Sequence, residues 1–129
     1  NDLTQYILAV DRNNSRVANL YDALNPAVLL ALQQVTEGAK SFNKPISICG
    51  EMASDPAAVI LLIAMGFNAF SMTSVSLPRI KWVIRSFTKL RAAELLEEVL
   101  MMEDPLHIRQ HLELALEQAG LGGLVRGGK

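Results

Sequence analysis

One cysteine, Cys49, is all the thiol in 129 residues, so an internal disulfide is excluded and the composition fits a reducing compartment. Aromatic residues make up only 5% of the chain, too few to suggest the repeated stacking platforms that hold single-stranded nucleic acid. Nor is there an excess charge of either sign. The formal net charge is −1, which gives no footprint for a polyanionic partner. The longest apolar run, residues 57–65, is far short of the roughly 20 residues that cross a bilayer. These deficits predict a soluble, cytoplasmic protein with no nucleic-acid and no membrane partner. Half of the residues are apolar, enough for the core of one domain. The chain opens on Asn1-Asp2 rather than Met, which reads as a piece cut from something longer.

What is present is well punctuated. Asn25-Pro26 supplies a cap and a first-turn proline, and Val28, Leu29, Leu32, Val35, Ala39 and Phe42 follow at helical spacing, predicting an amphipathic helix to about Asn43. Pro45 resets the chain into the β-rich run Ile46-Ser47-Ile48-Cys49, closed by Gly50. Asp55-Pro56 then starts a second helix, apolar on all sides and expected to be buried, that stops at Gly66. A second short strand is predicted at Ala69-Phe70-Ser71-Met72, and a third helix after Ser76 with Ile80, Val83, Ile84 and Phe87 on one face. Helices over residues 90–102 and from Pro105 to Gly120 close the domain, residues 1–119. The last ten residues, 120–129, contain five glycines and are expected to form a flexible tail.

Helices alternating with short strands are the grammar of βα units and parallel sheets. The predicted fold class is therefore α/β, mostly helical with about two short parallel strands. Both a (β/α) barrel and an open sheet suit the spacing, and a complete barrel needs about 250 residues. In either architecture the C-terminal ends of strands carry the chemistry, and Cys49 is placed at such an end. A thiol there can be a nucleophile, a metal ligand or a proton donor, or simply a small buried hydrophobe. Asn1, Asp2 and Arg12 add an amide to fix an oxygen, a carboxylate able to hold Mg²⁺ and a guanidinium able to clamp an anion. Bland readings stand beside these: Asp2 as a helix cap and Arg12 paired with Asp11 on a solvated face.

Taken together, Asn1-Asp2-Leu3, Gln5, Arg12, Cys49-Gly50-Glu51 and the tract FSM-x5-LPRIK-x2-IR at residues 70–85 resemble a family signature. They resemble the C-terminal part of enzyme I, the phosphoenolpyruvate-protein phosphotransferase, and LPRIKWVIRSF with AVDRNNSRVANLYDALNPAVL resembles most its nitrogen-related paralogue. The resemblance covers residues 1–87. It implies the C-terminal portion of a phosphoenolpyruvate-binding (β/α)8 barrel. It also implies an enzyme that uses Mg²⁺, releases pyruvate and passes the phosphoryl group through a histidine on a separate N-terminal domain to a small phosphocarrier protein. By the same resemblance Asp2 ligates Mg²⁺, Asn1 contacts substrate, Arg12 binds the phosphoenolpyruvate anion and Cys49 protonates the enolate carbon. The phosphorylated histidine, other substrate arginines and a second metal carboxylate of the family would lie upstream, so residues 1–129 are not expected to turn over alone. Family members dimerise through this domain, and a homodimer is expected here.

Alternatives remain within the sequence. Pyruvate phosphate dikinase and phosphoenolpyruvate synthase share the Asn-Asp-Leu and Cys-Gly-Glu elements, while LPRIK-x2-IR favours the protein phosphotransferase. A non-catalytic interaction module is the reading from a different class. His107 and His111, four apart, have the spacing of a metal pair but lack a patterned third ligand, and read as surface or packing residues. Arg79, Lys81, Arg85, Lys89 and Arg91 with Trp82 form a basic run, and Ser74 and Ser76 precede a helix that could help to hold phosphate.

Overall fold

The computed structural model describes residues 1–126. Its helices begin where the sequence places caps. Asn25, Asp55 and Asp104 each accept a backbone N–H two residues on, at 2.9–3.0 Å, and each is followed by proline, whose missing N–H costs nothing in a first turn. These three caps start α2 (Pro26–Ser41), α3 (Pro56–Met65) and α6 (Pro105–Gln118). Thr88 caps α5 (Lys89–Leu100) by accepting from Arg91 N at 3.1 Å. Ser76 stands before α4 (Leu77–Ser86), but its hydroxyl lies 3.2 Å from that of Thr73 rather than on a helix N–H. A short α1 (Asp2–Leu8) opens the chain.

Strands β1 (Ser47–Ile48) and β2 (Ala69–Phe70) pair in parallel, Ser47 opposite Ala69 and Ile48 opposite Phe70. Flanking bonds from Asn68 N to Ile46 O (3.0 Å) and Ser71 N to Ile48 O (2.8 Å) extend the ladder over much of the apolar runs. The chain between the strands is α3, and α3 is the centre of the molecule. It packs against α2, α4, α5 and α6, and Ala58, Val59, Ile60, Leu61 and Leu62 are wholly buried. A helix apolar on every side is stable only if covered on every side, and at about 1.5–3 kcal/mol per buried Ile or Leu it anchors the core. No described helix is long and apolar enough to cross a membrane.

Two expectations change. Val35 and Phe42, on the predicted core face of α2, are 49% and 78% exposed, and Ile84, on the predicted face of α4, is exposed while Ile80 and Val83 are buried. Phe42 lies beyond the helix end, and Val35 faces an open cleft beside β1. The flexible tail expected from residue 120 is instead structured as far as residue 126: Gly120 turns the chain at φ +80°, Leu121 is buried, and α7 (Gly122–Arg126) lies against α6. Glycine content suggested mobility, but Leu121, Leu124 and Val125 give the segment an apolar side that packs on the core. Residues 127–129 of that expected tail lie outside the described residues.

Candidate active site

Strand β1 ends at Ile48, and Cys49 follows it, exposed, at the start of a loop. Gly50 adopts φ +82°, a left-handed turn that puts Glu51 on the surface and lets a 3-10 turn, Met52–Ser54, lead into the Asp55 cap of α3. Met52 and Ala53 are buried, so this loop is anchored from inside while Cys49, Gly50 and Glu51 stay open.

The chain start lies against this loop. A Cβ built on Gly50 would sit 3.5 Å from Cγ and Nδ2 of Asn1, so the Asn1 amide packs directly over the turn. Tyr21 donates its hydroxyl to the Asn1 backbone carbonyl at 3.2 Å and lies 3.3 Å from Oδ1, while the whole amide, Oδ1 included at 3.6 Å from that Cβ, lies over the Gly50 turn. Asn1, Asp2 and Cys49 share one cleft of about 340 Å³, floored by Val28, Leu32 and Phe67. Asp2 is in the first turn of α1, exposed, with Asn1 in the cap position without a side-chain cap bond. Of the two readings of Asp2, the cap is thus ruled out by position.

Arg12 does not line that cleft. It follows a left-handed turn at Ala9, in a loop held by Gln5, whose Oε1 accepts from Arg12 N at 3.3 Å. Its guanidinium lies 3.8 Å from Oε1 of Glu51, a contact to the cysteine loop rather than to the neighbouring Asp11. Both side chains are largely exposed, and a pair in that setting contributes little and exchanges readily. The structure therefore brings Asn1, Asp2 and Cys49 together around one opening and sets Arg12 beside the same loop.

With this geometry in view, comparison with known proteins is decisive. The family described as PEP-utilising enzyme, PEP-binding domain, matches residues 1–89. The chain belongs to this family. It is 44% identical over 128 residues to an Escherichia coli (strain K12) protein named phosphoenolpyruvate-dependent phosphotransferase system, covering 99% of this chain and 17% of that protein. It is 45% identical over 102 residues to the phosphoenolpyruvate-protein phosphotransferase of Buchnera aphidicola subsp. Acyrthosiphon pisum (strain APS), covering 79% of this chain and 18% of that protein. The Borreliella burgdorferi protein of the same name is 43% identical over 100 residues, or 78% of this chain and 18% of the relative. The chain thus spans under a fifth of the length of these relatives.

Other residues of this PEP-binding-domain chain support the site without having been singled out for it. Tyr21 lies in the tract AVDRNNSRVANLYDALNPAVL without a role assigned to it there, and only the fold shows its bond to Asn1. Arg79, counted in the sequence as part of a basic run, turns inward and donates from Nη2 to Ser54 O at 3.1 Å. Arg109 on α6 forms a fork with Asp55, Nη2 to Oδ2 at 2.8 Å and Nη1 to Oδ1 at 3.5 Å. Burial opposes the Arg109 charge, but the hydrogen bond and charge of Asp55, with Asp22 and Glu113 adding, outweigh it and raise its pKa. His107 and His111 go to different carboxylates, Asp104 at 3.6 Å and Glu98 at 2.5 Å, and His111 thereby links α6 to α5. No group of three or more His, Cys, Asp or Glu side chains able to hold a metal occurs among the described residues.

Proposed function

We propose that this chain is part of the phosphoenolpyruvate-binding (β/α)8 barrel of a protein phosphotransferase, which transfers phosphoryl from phosphoenolpyruvate to an enzyme histidine, then to a small carrier protein, and releases pyruvate. The observation that carries this reading is the convergence of Asn1, Asp2 and Cys49 on one cleft with Arg12 beside it. The names of the relatives support the same reaction. The barrel's remaining strands, the histidine and the carrier-binding surface belong to the rest of the longer protein, so these residues alone do not turn over.

Mg²⁺ takes six oxygens and commonly only one or two of them from protein carboxylates, the others from substrate and water. Asp2, exposed and single, suits that role as one ligand. The ion would neutralise charge on the phosphoenolpyruvate oxygens. Arg12 exchanges its solvent-exposed contact with Glu51 for the substrate's phosphate or carboxylate, where a planar fork matches two oxygens. Asn1, its Oδ1 beside the Tyr21 hydroxyl, has Nδ2 free to donate to a substrate oxygen. Once the phosphoryl group has left for the histidine, the enolate of pyruvate remains. Cys49 gives its proton to the enolate C3: the S–H bond breaks, a C–H bond forms, and water later reprotonates the thiolate.

Binding separates these roles. In the full-length protein, calorimetric titration with phosphoenolpyruvate and Mg²⁺ should show Arg12→Ala weakened by about tenfold to a hundredfold, since hydrogen bonds to charged groups contribute about 1.5–3 kcal/mol. Cys49→Ser should bind normally. Unchanged affinity in Arg12→Ala would remove Arg12 from the site.

A further inference from the structure

The loop that carries Cys49 is held from the outside by two arginines, and one of them lies beyond the part of the chain matched to the family. Residues 49–55 run from the end of β1 to the cap of α3. Within the loop, Ser54 N and Ser54 Oγ both donate to Glu51 O at 3.0 Å, so Glu51 and Ser54 move as a unit. Arg79 of α4 fixes the outer carbonyl of that unit at Ser54. Asp55 ends it, with Oδ1 accepting the Ala57 N–H at 3.0 Å while Arg109 grips the carboxylate with two nitrogens. The Asp55 side chain is 25% exposed and that of Arg109 34%, so the pair is shielded but reachable. Arg109 sits on α6, outside the family-matched residues 1–89.

A carboxylate that serves as a helix cap alone can rotate about its side-chain torsions. One held at both oxygens has its plane fixed: Oδ2 accepts from Arg109 Nη2 at 2.8 Å while Oδ1 accepts the Ala57 N–H at 3.0 Å, with Arg109 Nη1 at 3.5 Å as a weaker second contact. Fixing the Asp55 plane fixes the far end of a loop whose near end is β1, and between them lie Cys49, Gly50 and Glu51. Proton transfer to carbon needs the donor within hydrogen-bond-like reach of the reacting atom, and a displacement of about 1 Å can cost about a hundredfold in rate.

We propose that Arg109 is a positioning residue that acts through Asp55 to set the residue 49–55 loop, and so to aim Cys49 at the substrate. This rests on the reading of Cys49 as proton donor given above. Arg109 touches no substrate in this scheme; α6 contributes a strut.

The test uses the full-length protein with phosphoenolpyruvate, Mg²⁺ and an excess of its phosphocarrier protein as acceptor, measuring pyruvate release together with the rate at which iodoacetamide alkylates Cys49 in the absence of substrate. Arg109→Leu and Asp55→Asn are compared with Arg109→Lys, and with Ile108→Val as a neighbouring core change that affects packing alone. Asp55→Asn retains the cap oxygen for Ala57 and guards against a folding defect in Arg109→Leu. The expected result is kcat lowered about tenfold to a hundredfold in Arg109→Leu and Asp55→Asn, with KM for phosphoenolpyruvate within about twofold of wild type and a changed alkylation rate. Arg109→Lys, which keeps charge but not the fork, should fall between, and Ile108→Val should match wild type. Wild-type kcat and alkylation in Arg109→Leu and Asp55→Asn, with Cys49→Ser inactive, overturn the positioning role and leave the proton-donor reading standing. Full activity in Cys49→Ser overturns both.

Discussion

Gly50 and Gly120 form a matched pair of backbone positions. Both hold left-handed φ, +82° and +80°, and neither site is short of room: a Cβ at Gly50 meets Asn1 at ordinary contact, 3.5 Å, and one at Gly120 meets nothing within 4 Å. Alanine at either position therefore costs what an L-residue costs in that region, about 1–2 kcal/mol, with little contribution from packing. The consequences should differ. At Gly120 the strain falls on the turn between α6 and α7. At Gly50 it falls on the turn between Cys49 and Glu51, against the Asn1 amide, and the loop relieves it by moving the residues we propose handle substrate. If relief moves them out of place, 1–2 kcal/mol corresponds to about a fivefold to thirtyfold smaller competent population. Urea unfolding followed by circular dichroism should show similar losses for Gly50→Ala and Gly120→Ala. Pyruvate release by the full-length protein with phosphoenolpyruvate, Mg²⁺ and phosphocarrier acceptor should fall about fivefold to thirtyfold in Gly50→Ala alone. Equal rates in the two variants would refute the argument that the Gly50 turn shapes the site.

The core, the site and the assembly each give a further expectation. Leu61→Ala, in the middle of the buried α3, should cost about 2–5 kcal/mol in the same unfolding experiment, and a loss below about 1 kcal/mol would contradict the central placement of that helix. Tyr21→Phe removes the hydroxyl that holds Asn1 and should lower pyruvate release by about threefold to tenfold with little loss of stability, since a neutral hydrogen bond contributes about 0.5–1.5 kcal/mol. The two strands pair only with each other among the described residues, so their outer edges are available for pairing. We expect the 129-residue chain to self-associate, and a monomeric mass by light scattering would count against it.

The helices were legible because their boundaries are chemical. Three Asn-Pro or Asp-Pro starts, Gly66 as a stop and an uninterrupted apolar α3 all appear in the structure where local physics places them. Strand positions were legible from the apolar runs at 46–49 and 69–72, though the paired segments are shorter. Segment 120–126 was misread because glycine is informative about backbone freedom and silent about whether a neighbouring surface awaits Leu121. Val35 shows the same limit in reverse: periodicity gives a face, and whether that face meets protein or a cleft depends on what else packs there. Cys49, Asn1 and Asp2 were recognisable as a set only through resemblance, since spacing says nothing of how residue 1 meets residue 50. Tyr21 stands within a tract that carries the resemblance but is given no role by it, and Arg109 stands outside those tracts. Their bonds span 20 and 54 positions in the chain, and contacts of that range come from tertiary packing.

The most direct measurement is steady-state pyruvate release by the full-length protein at saturating phosphoenolpyruvate and Mg²⁺ with excess phosphocarrier protein as acceptor, comparing wild type with Cys49→Ser. General acid catalysis typically contributes about a hundredfold to ten-thousandfold, so the account predicts turnover reduced by at least about a hundredfold while phosphoenolpyruvate still binds. Turnover close to wild type in the serine variant would mean that the thiol at the end of β1 gives no proton to the enolate, and would contradict the account at its centre.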